Sequence, residues 1–379
     1  MFDHKHYVPV LKWKRGEQKA LEYLAQPLKQ YMTPIVEIPP ISYGEVEDRS
    51  TILGSNLNGI GREVTQAWNS TAPIFIDCTQ LEVDEQLSMS NGQHFLEYII
   101  DDIENHGTIA IPVANLAHYD PFFDSLKDVI TRYGRGFCLR IKRGELNDLN
   151  TLMRHINGLL AFMDLTPNDV DLVLDYDFVG DDTSSAVFSQ IILNIIQFPH
   201  LTDWRTFSII GTSMPAILRM RPNTLSAITR VEWEVYKHII KFKNGLGRIP
   251  TFGDYTINNP TYGEFDPSYM QVAATIRYTV VNDNFLIFRG ATTRGPGGFQ
   301  QYISLAKDVI AHPEYIGAGY SYGDQYIYDC AHQQNGVGTG SHETWRRATA
   351  NHHLTLVINE LANLHGSSTS GSPIASVHP

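Results

Sequence analysis

The stretch HYVPVLKWKRGEQKALEYLAQPLKQYMTPIVEIPP, residues 6–40, reads as strand, helix, strand. Tyr7 to Leu11 is a short apolar run. Gly16-Glu17 opens a helical segment with apolar Ala20, Leu21, Leu24 and Leu28, and Pro34 to Ile38 is a second apolar run closed by Pro39-Pro40. Two parallel strands need a crossover of about a dozen residues, and a helix of this length supplies it. Lys12, Lys14 and Glu17 crowd the carboxyl end of the first strand, and Glu37 lies near the carboxyl end of the second. In parallel α/β folds that edge is where chemistry collects.

The same unit recurs along the chain. Further strands are expected at 73–78, 109–113, 136–142, 171–177 and 206–211, mostly continuous apolar runs, as strands covered by helices on both faces should be. Helices are expected at about 92–105, from Asp120-Pro121 (acid as cap, proline in the first turn) to Gly134, and at about 147–163, 184–197 and 224–243. Seven such units in tandem, with no GxGxxG after the first strand, predict an α/β fold of the (β/α)8 TIM-like barrel type over an open doubly wound sheet. Thr251 to Tyr255 is the first choice for the closing strand, and 285–289 is the alternative.

From 256 to 340 the rhythm breaks. Val272 to Val281 and Asn284 to Arg289 predict a hairpin turning at Asn282-Asp283, and 312–340 reads as a long loop rich in Gly and Tyr. A last helix over about 341–364 has Ser341 as its N-cap. The expected organisation is one barrel domain over 1–365, elaborated by the β-hairpin and long loop at 256–340, with a disordered tail at 366–379.

Composition narrows the function. Hydrophobic content of 42% and charged content of 18% fit a globular protein with a sizeable core. A net charge of −12 disfavours general DNA binding, since counterion release rewards cations. No apolar run approaches the roughly 18 residues of a membrane helix, and the first residues lack the build of a signal peptide. Cys78, Cys138 and Cys330 are odd in number and far apart, which excludes a CxxC zinc site and a disulfide scaffold and fits a cytoplasmic setting.

Polar residues recur where the predicted strands end: Lys12 and Lys14, Glu37, Asp77, Asn115, Arg140 and Lys142, Asp175 and Asp177, Ser213, Asp254. In a barrel these ends converge on one mouth, so a mixed set of acids and bases there suits acid–base work or anion capture. Glu37, Asp175 and His352 are the candidate acids and bases. Lys12, Lys14, Arg140, Asp254, Trp345, Arg346 and His353 are the candidate ligand-binding residues. Glu37, Asp77, Asp175 and Asp177 are hard oxygen donors for a divalent metal, though their spacing does not require one, and no motif specifies a cofactor. Trp345, Arg346, Arg347, Asn351, His352 and His353 share the last helix behind a glycine-rich turn, an arrangement that suits an anion. His352 reads equally well as a core histidine on a buried stripe with Trp345, Ala348 and Leu356. HExxH and GK[ST] are absent. The stretch RGATTRGPGG, 289–298, reads as a glycine loop or as a lid over an anion.

The opening YVPVLKWKRGEQKAL, then PIVEIPP, FGDYT, IRYT, FLIFRGA and the terminal WRRATANHHL, in this order, resemble the Beta protein family over about 7–360. That family is named for a product of an enterobacterial satellite phage encoded beside the toxic Gop protein. The resemblance implies a component of a mobile-element anti-phage defence cluster, a regulator or antidote whose protein partner is a toxic effector encoded nearby. It carries over no catalytic residue. The rival reading is an enzyme acting on a phosphorylated or otherwise anionic small molecule or nucleotide, and a third is a scaffold with a vestigial mouth.

Overall fold

Strands that read as apolar runs lie side by side because helices cover them on both faces. The computed structural model describes residues 2–43, 48–82, 87–262, 272–367 and 369. The chain begins with β1 (Val10–Lys12), α1 (Arg15–Glu22), β2 (Ile35–Glu37), α2 (Arg49–Leu57), α3 (Ile60–Trp68) and β3 (Ile74–Asp77). It continues through α4 (Phe95–Asn105), β4 (Ala110–Ala114), α5 (Asp120–Tyr133), β5 (Phe137–Lys142), α6 (Leu149–Met163), β6 (Val170–Phe178), α7 (Ser184–Gln197) and β7 (Thr206–Thr212). Then come β8 (Thr224–Thr229), α8 (Val231–Lys241), β9 (Thr251–Asp254), β10 (Ala273–Val280), β11 (Asn284–Thr292), α9 (Gln301–Ala311), α10 (Tyr322–His332) and α11 (His342–Leu364).

Eight strands form one parallel sheet in the order β1-β2-β3-β4-β5-β6-β7-β9. The sheet curls until its edges meet. Tyr7 bridges Phe252, and the Val8 amide donates to the Phe252 carbonyl at 2.9 Å. At this seam a Cβ on Gly253 would stand 2.3 Å from the Val8 carbonyl oxygen, so glycine permits the close approach. The fold is the (β/α)8-type barrel expected, and 251–254 is the strand that closes it. The lumen is packed with Val8, Val10, Ile35, Phe75, Ile111, Val113, Cys138, Val173 and Ile210. The larger core lies outside the strands, where Leu11, Val36, Ile76, Leu139, Leu172, Leu174 and Ile209 meet the helices. Inward and outward sets alternate along each strand, as the pleat requires.

A second sheet, β10-β11-β8, is antiparallel and turns at Val281 to Asp283, where Asp283 takes φ 68°. It carries its own core against α9, α10 and the start of α11. Four local expectations are corrected. Residues 224–229, read as the start of a helix, form strand β8, whose residues alternate between half-buried and exposed. The expected loop at 312–340 holds helix α10, capped by the Ser321 side chain. The helix read from Asp120 as its cap is capped instead by Tyr119, so Asp120 is already helical. Helices α2 and α3 fill the β2–β3 connection, for which no helix was read.

Ser341 caps α11 as expected, its hydroxyl accepting from the Thr344 amide. That helix is buried on every face from Ala348 to Ala362, packing on α1 and on β10 and covering the seam. All three cysteines are free and buried. Among the described residues no helix is long and apolar enough to cross a membrane. The expected disordered tail lies, beyond Thr369, outside the described residues.

Candidate functional site

Successive inward positions of β1, β2, β3, β5 and β6 end in charged residues, and the register aligns Lys12 with Glu37 and Glu37 with Asp77. Above the apolar lumen these side chains form a polar layer organised on one cation. Arg140 donates from Nη1 to Glu37 Oε2 at 2.9 Å and to Asp77 Oδ2 at 2.5 Å. Its Nε donates to Asp175 Oδ2 at 2.9 Å, and its Nη2 donates to the Tyr255 hydroxyl at 2.6 Å. Tyr255 in turn donates to Asp175 Oδ2 at 2.6 Å. Lys142 ties Asp175 to Asp177 at 2.6 and 2.7 Å. Arg140, Glu37, Asp77, Asp175 and Tyr255 are buried, whereas the side chains of Lys142 and Asp177 are 40% and 39% exposed and mark the rim.

Burial alone would push the two aspartates toward neutrality, but the neighbouring cations win. Asp175 falls to about 2 under Lys142 and Arg140, and Asp77 is held below the carboxylate range by Arg140 and Thr79. For Arg140, too, burial is outweighed by Tyr255, Asp175, Asp77 and Glu37, and its pKa rises well above the usual value. The guanidinium thus occupies the place a cation would take between Glu37, Asp77 and Asp175. Among the described residues no group of three or more His, Cys, Asp or Glu is arranged to hold a metal ion.

Lys12 reaches from β1 toward the segment after β9, donating to the carbonyls of Pro260 and Thr261 at 3.0 and 2.8 Å beneath the Tyr262 ring. Burial lowers its pKa to about 8. Lys14 is exposed, 5.4 Å from the same ring. Tyr262, missed from sequence, has its hydroxyl pKa raised by burial and by the nearby Glu37 charge. Tyr255 was also missed as a site residue, although its place at the end of the closing strand offered the signal.

His352, His353, Asp254, Trp345 and Arg346 are not in this layer. His352 is fully buried and stacked on Tyr278, with Nδ1 2.8 Å from Asp324 Oδ2 and Nε2 2.7 Å from the Thr279 carbonyl. Asp254 faces outward from β9 and accepts from the Tyr7 hydroxyl at 2.5 Å and the Thr256 amide at 2.8 Å. His353 joins Asp254 Oδ2 (3.0 Å) to the Thr279 hydroxyl (2.8 Å). The order hydroxyl–imidazole–carboxylate is that of a nucleophilic relay, but all three side chains are 0% exposed and no substrate reaches Thr279. Trp345 stacks on Tyr302, and Arg346 bonds Asn258 beside the buried Glu17. Glu37 and Asp175 therefore share one cluster, and His352 belongs to another.

A family model described as Beta protein matches residues 7–359. The chain belongs to the Beta protein family. Among curated proteins none matches this Beta-family chain. Among solved structures, triosephosphate isomerase from Bartonella henselae aligns over 66% of this chain and 92% of its own, at 9% identity and a TM-score of 0.33.

Proposed function

We propose that this Beta-family protein is the regulator or antidote partner of a toxic effector encoded nearby in an anti-phage defence cluster. The antidote role is the one the family resemblance implies. The observation that carries a protein-binding reading is an exposed apolar groove of about 540 Å³, where the β7–β8 connection meets β8. Ile217 is 58% exposed there, and Pro215, Leu218, Met220 and Ile228 line the groove. Contiguous exposed apolar surface of this kind marks protein contacts. Arg219 and Arg221 beside it are exposed, so the complementary occupant is an apolar effector segment flanked by acidic residues. The barrel mouth supports the same reading, because its acids are already paired with Arg140 and Lys142 and a general base would first have to be released from them.

Co-expression with the neighbouring toxin tests this reading. Wild-type protein and Glu37→Gln are expected to restore growth and capture the toxin, whereas the I217D/M220D variant, folded by circular dichroism, loses both. Rescue that survives I217D/M220D would overturn the groove, and rescue lost in folded Glu37→Gln would return the function to the mouth.

A further inference from the structure

Three arginines from three elements converge beside the barrel, and among the described residues a single carboxylate, Glu17, pairs with them. On β10 and β11 the register sets Arg277 opposite Ile287 and Thr275 opposite Arg289. Arg277 and Arg289 are therefore diagonal neighbours on one face, about 7–8 Å apart at the backbone. Ile287 on that face packs with Ile257 and with Ala350 of α11, and Arg346 lies one turn before Ala350. The apolar contact thus plants all three arginines around one spot. Consecutive residues tether two of them: the Ile257 carbonyl accepts from Arg277 Nη1 at 2.8 Å, and the Asn258 side chain accepts from Arg346. Lys12 is held two and three residues further along.

Among the described residues the three arginines make one ion pair, Arg346 with Glu17, at 3.6 Å. Arg289 Nε is buried without a partner. Burial and then the charges of Arg346 and Arg289 push the Arg277 pKa down to about 9, with Glu17 opposing them only in part. Arg277 and Arg289 are half-buried, and the Arg346 side chain, 38% exposed, opens the cluster to solvent. Like charges gathered in this way are unfavourable on their own and become favourable around an anion, and forked guanidinium groups match phosphoryl oxygens.

We propose that Arg277, Arg289 and Arg346 form a binding site for a small molecule bearing two or more phosphoryl charges, seated between the barrel, the β10–β11 hairpin and α11. This site adjoins the apolar groove on the same face of the second sheet, where Thr224 stands opposite Arg289 and Ser226 opposite Ile287, but it does not depend on the antidote reading. The aromatic group Tyr302, His342 and Phe299 lies alongside, with Tyr302 bonded to the Thr275 amide and to His342, and Phe299 5.2 Å from the His342 ring. Tyr302 itself is buried, so Phe299 and His342 are the rings that can face a nucleoside base.

Calorimetric titration with inorganic pyrophosphate, repeated with ADP and with sulfate at matched ionic strength, tests the site. Wild-type protein is expected to bind pyrophosphate saturably and sulfate more weakly. Tighter binding of ADP would assign a nucleotide, and equal binding a polyphosphate group alone. Arg289→Gln, which breaks no protein hydrogen bond, is expected to weaken binding about tenfold or more. Its melting temperature without ligand should be unchanged or higher, because repulsion is relieved, whereas a merely structural arginine would give a loss. Arg62→Gln, exposed on α3, should bind as wild type does. The inference falls if wild-type protein shows no saturable pyrophosphate binding tighter than about 1 mM, or if Arg289→Gln binds equally well.

Discussion

Replacing Arg140 with alanine removes the single cation shared by Glu37, Asp77 and Asp175, and leaves Lys142 as the one cation among the described residues paired with Asp175. These carboxylates are nearly or wholly inaccessible, so water cannot replace the guanidinium without opening the barrel end. Breaking a buried pair from one side costs about 3–5 kcal/mol, mostly through the unpaired charge left behind. Glu37 and Asp77 share one nitrogen, so the loss is expected within this range rather than at three times it. For 379 residues an unfolding entropy near 2.1 cal/mol/K per residue makes this a fall of about 4–6 °C in melting temperature. The pH dependence supplies the sharper test. In the wild-type protein the depressed pKa values of Asp77 and Asp175 give stability that is present above the ordinary carboxylate range and lost as pH falls through their folded values, about 2 for Asp175. In the variant, burial acts on Asp77 without the cation that opposed it and raises its pKa, while Lys142 still holds Asp175 down, so acid relieves the defect at Asp77. Scanning calorimetry should show the gap between wild type and Arg140→Ala narrowing from pH 7 to pH 5. A gap below about 1 °C at pH 7, or one that widens in acid, would refute the pairing argument. Arg140→Lys keeps a charge but loses the fork, and should fall between the two.

Two further outcomes follow from the packing and the titration. Gly253→Ala should cost about 3 kcal/mol by chemical denaturation, because its Cβ meets backbone at the seam, whereas Gly211→Ala, with no atom closer than 3.6 Å, should be tolerated; equal losses would contradict the seam. Burial holds His6, His94 and His365 at about 4, so their contribution is complete above pH 6.5 and is lost as pH falls toward 4. The slope is at most about 1.4 kcal/mol per pH unit for each histidine, less for partly exposed rings. Glu232, raised to about 7 chiefly by burial, acts in the opposite sense: its contribution is present below pH 4.5 and fades as pH rises through 7. A melting temperature that climbs as pH drops from 6.5 to 4 would contradict the histidine assignment.

The parallel strands were legible because burial on both faces makes them apolar runs, and β9 could be recognised by position. Strand β8, TLSAIT, alternates with period two, yet it runs directly into α8 and is too short to oppose a helical reading. Helix α10 hid behind the glycines and tyrosines flanking it. In the site, Glu37, Asp77, Arg140 and Asp175 could be grouped because strand ends converge in any barrel. Parity also placed Arg140 and Lys142 on one side, and it is the inner one. His352 and His353 could not be assigned in the same way, because their partners, Asp324 and Asp254, come from elements whose docking no local pattern encodes. Arg277 was not singled out, and Arg289 was read only as the start of a glycine loop or anion lid, for the related reason that a hairpin announces its turn but not which face meets the barrel.

The enclosure of α11 sets a timetable for the molecule. Asn351 reaches back 331 residues to the carbonyl of Ala20, and β1 finds its second neighbour only at Phe252. At about 5–20 residues synthesised per second, α1 waits on the order of tens of seconds for the helix that covers it. Throughout that interval the first strand keeps an open edge and α1 an uncovered apolar side, which invites chaperone capture and slow, late closure. Competence then arrives in one step, when α11 docks, so that a chain released before that point would not carry partial function.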